Sequence, residues 1–166
     1  MSRGHSPQRR DHRSGGQGQR FREPDPKHSL FDTSLPDAAL YDEVAEKQAD
    51  QFAAMDRRNK IPVSQLRRFF SELKDLYRRQ EARQAADASK SPDEIFRTCI
   101  EPQFRMIRSK VAYTTGRQGG SSVPREFADF LSLGIKKVSD VSEFRRFVTH
   151  VEAVVGFMYG KDAFQK

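Results

Sequence analysis

The chain has 166 residues, 30 Lys and Arg against 23 Asp and Glu, a net charge of +7 and a pI near 9.8, which is one domain's worth of protein with a basic bias. No apolar run approaches the ~18–20 residues of a membrane span and no hydrophobic secretory segment is present, so the predicted location is cytoplasmic, with no membrane partner. A single cysteine, Cys99, excludes an internal disulfide and suits a reducing compartment, where it is expected as a small apolar filler of the core.

Residues 1–34 are Arg, Gly, Gln, Ser, Pro and His with almost nothing to bury, which predicts a disordered basic tail available for non-specific contact with RNA. Asp11 is the only acid in the first 22 residues, as in an organellar transit peptide, but Phe21 is their only large apolar residue after Met1, so no amphipathic helix forms there. Ser34-Leu35-Pro36-Asp37 then combines an N-cap serine, an early proline and a capping-box acid, and predicts a helix to about Arg57. Residues 59–62 break it. Leu66, Phe69, Phe70, Leu73, Leu76 and Tyr77 follow with the spacing of an amphipathic helix, whose Arg67, Lys74 and Arg78 project from another face. Residues 82–90 are either the fraying end of that helix or a linker.

Ser91-Pro92-Asp93-Glu94 starts the next helix with a second capping box and proline at its first position. Pro102 requires a kink or stop near Ile100, so a short helix is expected before a longer one bearing Phe104, Ile107 and Val111. Beyond a glycine-rich stretch, one apolar stripe runs through Phe127, Phe130, Leu131, Ile135 and Val138. Another runs through Phe144, Phe147, Val148, Val151, Val155 and Met158, with Gly160 closing the last helix. Nothing alternates with period two and no hairpin turn appears. The predicted fold is all-α: a compact bundle of about five to six helices over residues 35–166, a single domain behind the tail of residues 1–34. Most phenylalanines fall on the buried stripes, where core packing is their expected use.

Catalysis has little to draw on. Three of the four histidines, His5, His12 and His28, fall in the tail, and His150 lies between Val148 and Val151, where a structural role is expected. Cys99 has no histidine near it in sequence. Asp42, Glu46 and Asp50 stand at i, i+4 and i+8; of a hard-cation site and a solvated acidic face, the second is favoured because no turn-loop ligand pattern accompanies them. No phosphate loop, CxxC or HExxH is present. The chain reads as a non-enzyme with no cofactor and no metal.

Charge is unevenly placed. Residues 1–30 carry +4, residues 34–56 carry −5 and residues 57–166 carry +9, which suggests an assembly subunit meeting protein on one face and an anionic polymer on another, the plainer alternative being a solvated acidic helix. Within residues 105–120, Arg105, Arg108, Lys110 and Arg117 stand with no acid among them. Two readings remain open for this stretch: polyphosphate as partner, and simple capping, with Gly116 ending the helix and Arg117 bonding its last carbonyls. Tyr113 beside it is either a base-stacking platform or a core anchor, the anchor being preferred.

Three segments occur in order: Ser64-Gln65-Leu66-Arg67-Arg68-Phe69-Phe70; Ile107-Arg108-Ser109-Lys110-Val111-Ala112-Tyr113-Thr114-Thr115-Gly116-Arg117-Gln118; and Phe144-Arg145-Arg146-Phe147 followed by Val151-Glu152-Ala153-Val154-Val155-Gly156-Phe157. Together they resemble the signatures of the small subunit of the type III-A CRISPR (Csm) effector complex, over about residues 59–162. The resemblance implies a compact helical protein that stacks in several copies inside a crRNA-guided ribonucleoprotein. Its implied partners are crRNA and target RNA, the Csm backbone subunit, the Cas10-type large subunit and further copies of itself.

Arg67, Lys110, Arg117 and Arg146 match cations of the signatures; Arg68, Arg105, Arg108 and Arg145 join them on charge and helical phase, and Tyr113 as a stacking candidate. These are the expected RNA-binding residues. Glu152, in the third signature, is expected to be structural. The sequence departs from the family pattern at Arg108-Ser109, where a proline often precedes the lysine, at Gly156, where alanine is usual, and in its extra basic tail. The expected function is a non-catalytic RNA-binding subunit that contacts phosphates along the crRNA and target channel in antiviral defence. The alternatives are a protein–protein adaptor of the same kind of complex without RNA contact, and a helical DNA-binding domain.

Overall fold

A computed structural model describes residues 22–115 and 122–165. Its helices are α1 (Asp37–Tyr41), α2 (Glu43–Ala53), α3 (Val63–Ala86), α4 (Pro92–Ile95), α5 (Glu101–Thr115), α6 (Arg125–Lys137) and α7 (Val141–Gly160). Single 3-10 turns occupy Pro26–His28 and Arg57–Asn59, and a two-residue parallel bridge joins β1 (Ile61–Pro62) to β2 (Phe164–Gln165). The all-α reading holds. No helix among the described residues is long and apolar enough to cross a membrane.

Helix α7 is the hub, packed on α1, α2 and α3, while α5 packs chiefly on α6. The apolar stripes converge on one core in which Phe31, Phe69, Phe96, Phe104, Phe130, Phe144 and Phe147 are all sealed from solvent. Phe104 meets Phe144 edge-on at 5.0 Å between centroids, and Phe96 lies 5.1 Å from Phe144. An edge-to-face pair such as Phe104 with Phe144 adds about 0.5–1.5 kcal/mol beyond the burial of its area. Gly134 in α6 is needed for close approach to α7: a Cβ there would fall 2.0 Å from Cε2 of Phe147.

Side-chain caps open two helices, the first of them the capping box expected at Ser91. The Ser91 hydroxyl accepts from the Glu94 amide at 3.1 Å ahead of Pro92, and Asp140 accepts from the Glu143 amide at 2.8 Å to open α7. The expected cap at Ser34 does not form. Its hydroxyl donates to Asp32 at 2.8 Å, α1 starts at Asp37 after Pro36, and the helix expected to run to Arg57 is broken at Asp42, whose φ of −118° and ψ of −95° separate α1 from α2. The alanine-rich stretch continues α3 as far as Ala86. Near Pro102 the chain neither stops nor restarts; it widens into one π-helical segment, Phe96–Ile100, which leads into α5. A wider turn there leaves room for the proline ring, which cannot donate to the helical ladder.

Residues 22–34, assigned to the tail by their composition, belong to the ordered protein. They form a strap over α2, α6 and α7, pinned mainly by side chains bonding its backbone. Gln48 Oε1 accepts from the Leu30 amide at 2.8 Å while its Nε2 donates to the His28 carbonyl at 3.2 Å. Asp129 accepts from the Asp25 amide at 3.1 Å and pairs with His28 Nδ1 at 2.7 Å. Phe31 is the anchor, fully buried and edge-on to Phe147 at 5.1 Å. One buried aromatic together with these polar contacts holds a segment that averaged composition describes as unable to bury anything. Residues 1–21 and the glycine-rich stretch 116–121 lie outside the described residues.

Candidate nucleic-acid interface

Two helices of opposite direction carry the cationic face. After α3 the chain reverses, and Gln80 donates to the Pro92 carbonyl at 3.0 Å near the turn. Further along, Lys110 of α5 pairs with Glu72 of α3. One more turn in that direction brings Arg68 of α3 level with Tyr113 and Thr114 of α5, because residues three and four apart are vertical neighbours on each helix.

Arg67 and Arg68 are exposed, and neither forms an ion pair with a described residue; the Arg68 guanidinium lies over its neighbour Phe69 at 5.7 Å. Tyr113 turns outward, 69% exposed, so core anchoring is not its role. Arg108 is half-buried, with an Nε that is shut away and unpartnered among the described residues. That nitrogen forgoes a bond, a cost set against the burial of the stem. Arg117 lies in the stretch outside the described residues.

Three of the expected cations stand elsewhere, in structural work. Arg105 bridges to Glu101, with Nε at 3.1 Å and an η-nitrogen at 2.8 Å, and also donates to the carbonyls of Ile135 and, at 2.6 Å, Val138. A positive fork on the last carbonyls of α6 satisfies groups the helix leaves open and offsets the negative end of its dipole. Arg145 ties α7 to the far end of α3 through Glu81 at 2.7 Å and Gln84 at 2.6 Å. Arg146 holds the strap through the Thr33 carbonyl at 2.8 Å, the Leu35 carbonyl and Asp37 at 2.6 Å. Charge and helical phase selected Arg105 and Arg145, and the family signature selected Arg146, but neither signal says whether a carbonyl or a carboxylate waits beyond the tip of the side chain.

The remaining cations of α3 divide the same way. Lys74 pairs with Glu152 at 2.7 Å, which gives Glu152 its structural role, and Arg78 pairs with Asp75 at 3.1 Å. Arg79 and Arg83 are exposed with no ion pair among the described residues; sequence reasoning passed over them, although Arg79 follows Arg68 by 11 residues and so shares its face about 16 Å along the axis. On the acidic side, Glu46 and Asp50 converge on Lys161 at 3.0 and 2.8 Å, holding its pKa above the usual lysine value through those hydrogen bonds. No group of acidic, histidine and cysteine side chains suited to a metal occurs among the described residues. His150 is buried with Nδ1 2.7 Å from the Leu40 carbonyl, and burial lowers its pKa. His28, placed by composition in the tail, is instead ordered against Asp129. Cys99 is only partly buried, its sulfur 3.4 Å from the Thr98 hydroxyl.

The family model described as Csm2 Type III-A matches residues 41–161. The chain belongs to this family. It is therefore a small subunit of the type III-A CRISPR Csm complex, one that assembles with other Csm subunits, in a family whose role is structural. The match begins earlier than the resemblance over residues 59–162, taking in α2, and leaves the strap of residues 22–34 outside it. No curated protein and no solved structure matches the chain.

Proposed function

We propose that this Csm2 subunit is a non-catalytic, cytoplasmic RNA-binding element of the ribonucleoprotein in antiviral defence. It lines the channel of crRNA and target RNA beside the backbone subunit, the Cas10-type large subunit and further copies of itself. The contact face is the α3/α5 side, with Arg67, Arg68, Arg108 and Lys110 as phosphate contacts, Arg117 extending them and Tyr113 stacking on a base or ribose. The observation that carries this reading is the pair Arg67 and Arg68, exposed on a rigid 24-residue helix with no carboxylate bound to either among the described residues.

Lys110 shares its charge with Glu72. It therefore contributes less, and RNA competes with Glu72 for it. Arg105, Arg145 and Arg146 serve the face by holding its helices and strap in place. Sequence information comes from base pairing with the guide, so the subunit needs only fixed cations that match a sugar-phosphate backbone.

Removing charge at Arg67 and Arg68 by substitution with Gln lowers affinity equally for RNAs of different sequence. The logarithmic salt slope falls by about 0.7 on single-stranded RNA for each phosphate that the protein no longer neutralises. Anisotropy of labelled RNA across a salt series measures both. A slope identical to that of the unsubstituted protein, with only protein crosslinks in the assembled complex, establishes an adaptor that does not touch RNA.

A further inference from the structure

At the end of the bundle where α3 begins, residues including Arg58, Asn59, Lys60, Ser122, Arg125 and Glu126 line a cleft of about 360 Å³. At ~30 Å³ per molecule that is room for on the order of ten waters, enough for a hydrated phosphodiester. Three cations face a single carboxylate, Glu126. None of the three belongs to the family signatures.

Arg58 and Lys60 are without an ion pair among the described residues, and Arg125 shares its charge with Asp129. Arg58 is exposed and forms no ion pair among the described residues. Lys60 donates to the Asp162 carbonyl at 3.1 Å, a neutral acceptor that fixes the ammonium without cancelling it. That carbonyl belongs to the turn ahead of β2, where Asp162 adopts a left-handed φ of 51°, and the pairing of Ile61 with Phe164 holds the turn beside Lys60. Arg125 donates to the Glu23 carbonyl at 3.3 Å, and its Nε lies 3.5 Å from Asp129, a carboxylate already engaged by His28 at 2.7 Å. Asn59 and Ser122 add an amide and a hydroxyl as donors. Two cations anchored on backbone carbonyls and a third that is exposed, together with neutral donors in a polar cleft, match the oxygens of a phosphodiester better than they match an apolar group.

Arg67 stands four residues into α3, about 6 Å along the helix axis from its start at Val63, and the cleft residues Arg58, Asn59 and Lys60 directly precede that start in the chain. We propose that this cleft seats a phosphodiester of the RNA strand beyond the part held by α3 and α5. The identity of the ligand rests on the RNA-binding function proposed above. The site itself rests on Arg58, Lys60 and Arg125.

The test uses the full chain and a labelled single-stranded oligouridylate, with affinity measured across a salt series for Arg58→Gln with Lys60→Gln, for Arg67→Gln with Arg68→Gln, and for Lys47→Gln on the acidic helix. The cleft pair is expected to lower the logarithmic salt slope by about 0.7 for each phosphate released, as the α3 pair does, with Lys47→Gln close to unsubstituted protein. If the α3 pair lowers the slope and the cleft pair leaves it unchanged, the cleft proposal fails and the α3/α5 face stands. If neither pair lowers it, both fail. An equal effect from Lys47→Gln reduces the result to net charge and overturns the cleft. Arg58→Gln alone guards against misfolding, since Arg58 has no ion pair among the described residues to break.

Discussion

Gly134 and Gly156 offer the same substitution with opposite expected signs. Alanine in place of either gains roughly 0.8–1 kcal/mol of helix propensity. At Gly156 nothing lies within 4 Å of the new Cβ, so the gain is realised in full. At Gly134 the Cβ would meet Phe147 at 2.0, 2.7 and 2.8 Å from three ring carbons. That ring cannot swing aside, because Phe31, Phe104 and Phe130 stand at 5.1, 6.0 and 6.4 Å around it. Forcing a methyl group into such a core costs about 1–3 kcal/mol or more, and a contact this short belongs at or above the upper end.

Gly134→Ala should therefore lose about 2 kcal/mol or more net, and Gly156→Ala should gain nearly 1 kcal/mol. At ~2–4 °C per kcal/mol for a chain of this size, thermal unfolding separates the two variants by several degrees. Urea midpoints with unchanged slopes confirm that stability, and not the unfolding mechanism, has moved. A Gly134→Ala protein as stable as the unsubstituted chain refutes the close packing of α6 on α7.

Arg105→Met keeps much of the buried stem but strands the Ile135 and Val138 carbonyls, so stability drops by about 1–3 kcal/mol while the salt slope of RNA binding stays unchanged; a slope that falls instead returns Arg105 to the RNA face. His150 is held neutral by burial, its folded pKa below the ordinary value of 6.5. The unfolded chain takes up that proton first, so the contribution of His150 is intact above pH 6.5 and is lost toward lower pH, at up to about 1.4 kcal/mol per pH unit. The difference in unfolding free energy between the unsubstituted protein and His150→Leu should accordingly shrink from pH 7.5 to pH 5.5, and a constant difference contradicts a buried neutral imidazole.

The helical stripes were legible because each is a local pattern: Leu66 through Leu76, or Phe144 through Met158, announces its buried face by spacing alone. Phe31 carried no such pattern. A lone aromatic in a mostly polar stretch becomes an anchor because Phe147 and His150 meet it from α7. Gly134 is silent for the same reason, since its requirement is set by a ring on another helix. At the interface, the sequence could mark cations but not their partners. Arg67 and Arg146 match the family signatures equally well, yet one stands in solvent and the other is clamped on the strap. The cleft at Arg58, Lys60 and Arg125 joins segments more than 60 residues apart, beyond the reach of any local motif.

The most direct test is ultraviolet crosslinking of the intact ribonucleoprotein purified from its native cells, followed by peptide mapping of ribonucleotide adducts. Adducts should fall on Tyr113 and on the peptide containing Arg67 and Arg68. Adducts confined to the other subunits, with this chain joined only to protein, contradict the claim that its α3/α5 face holds RNA.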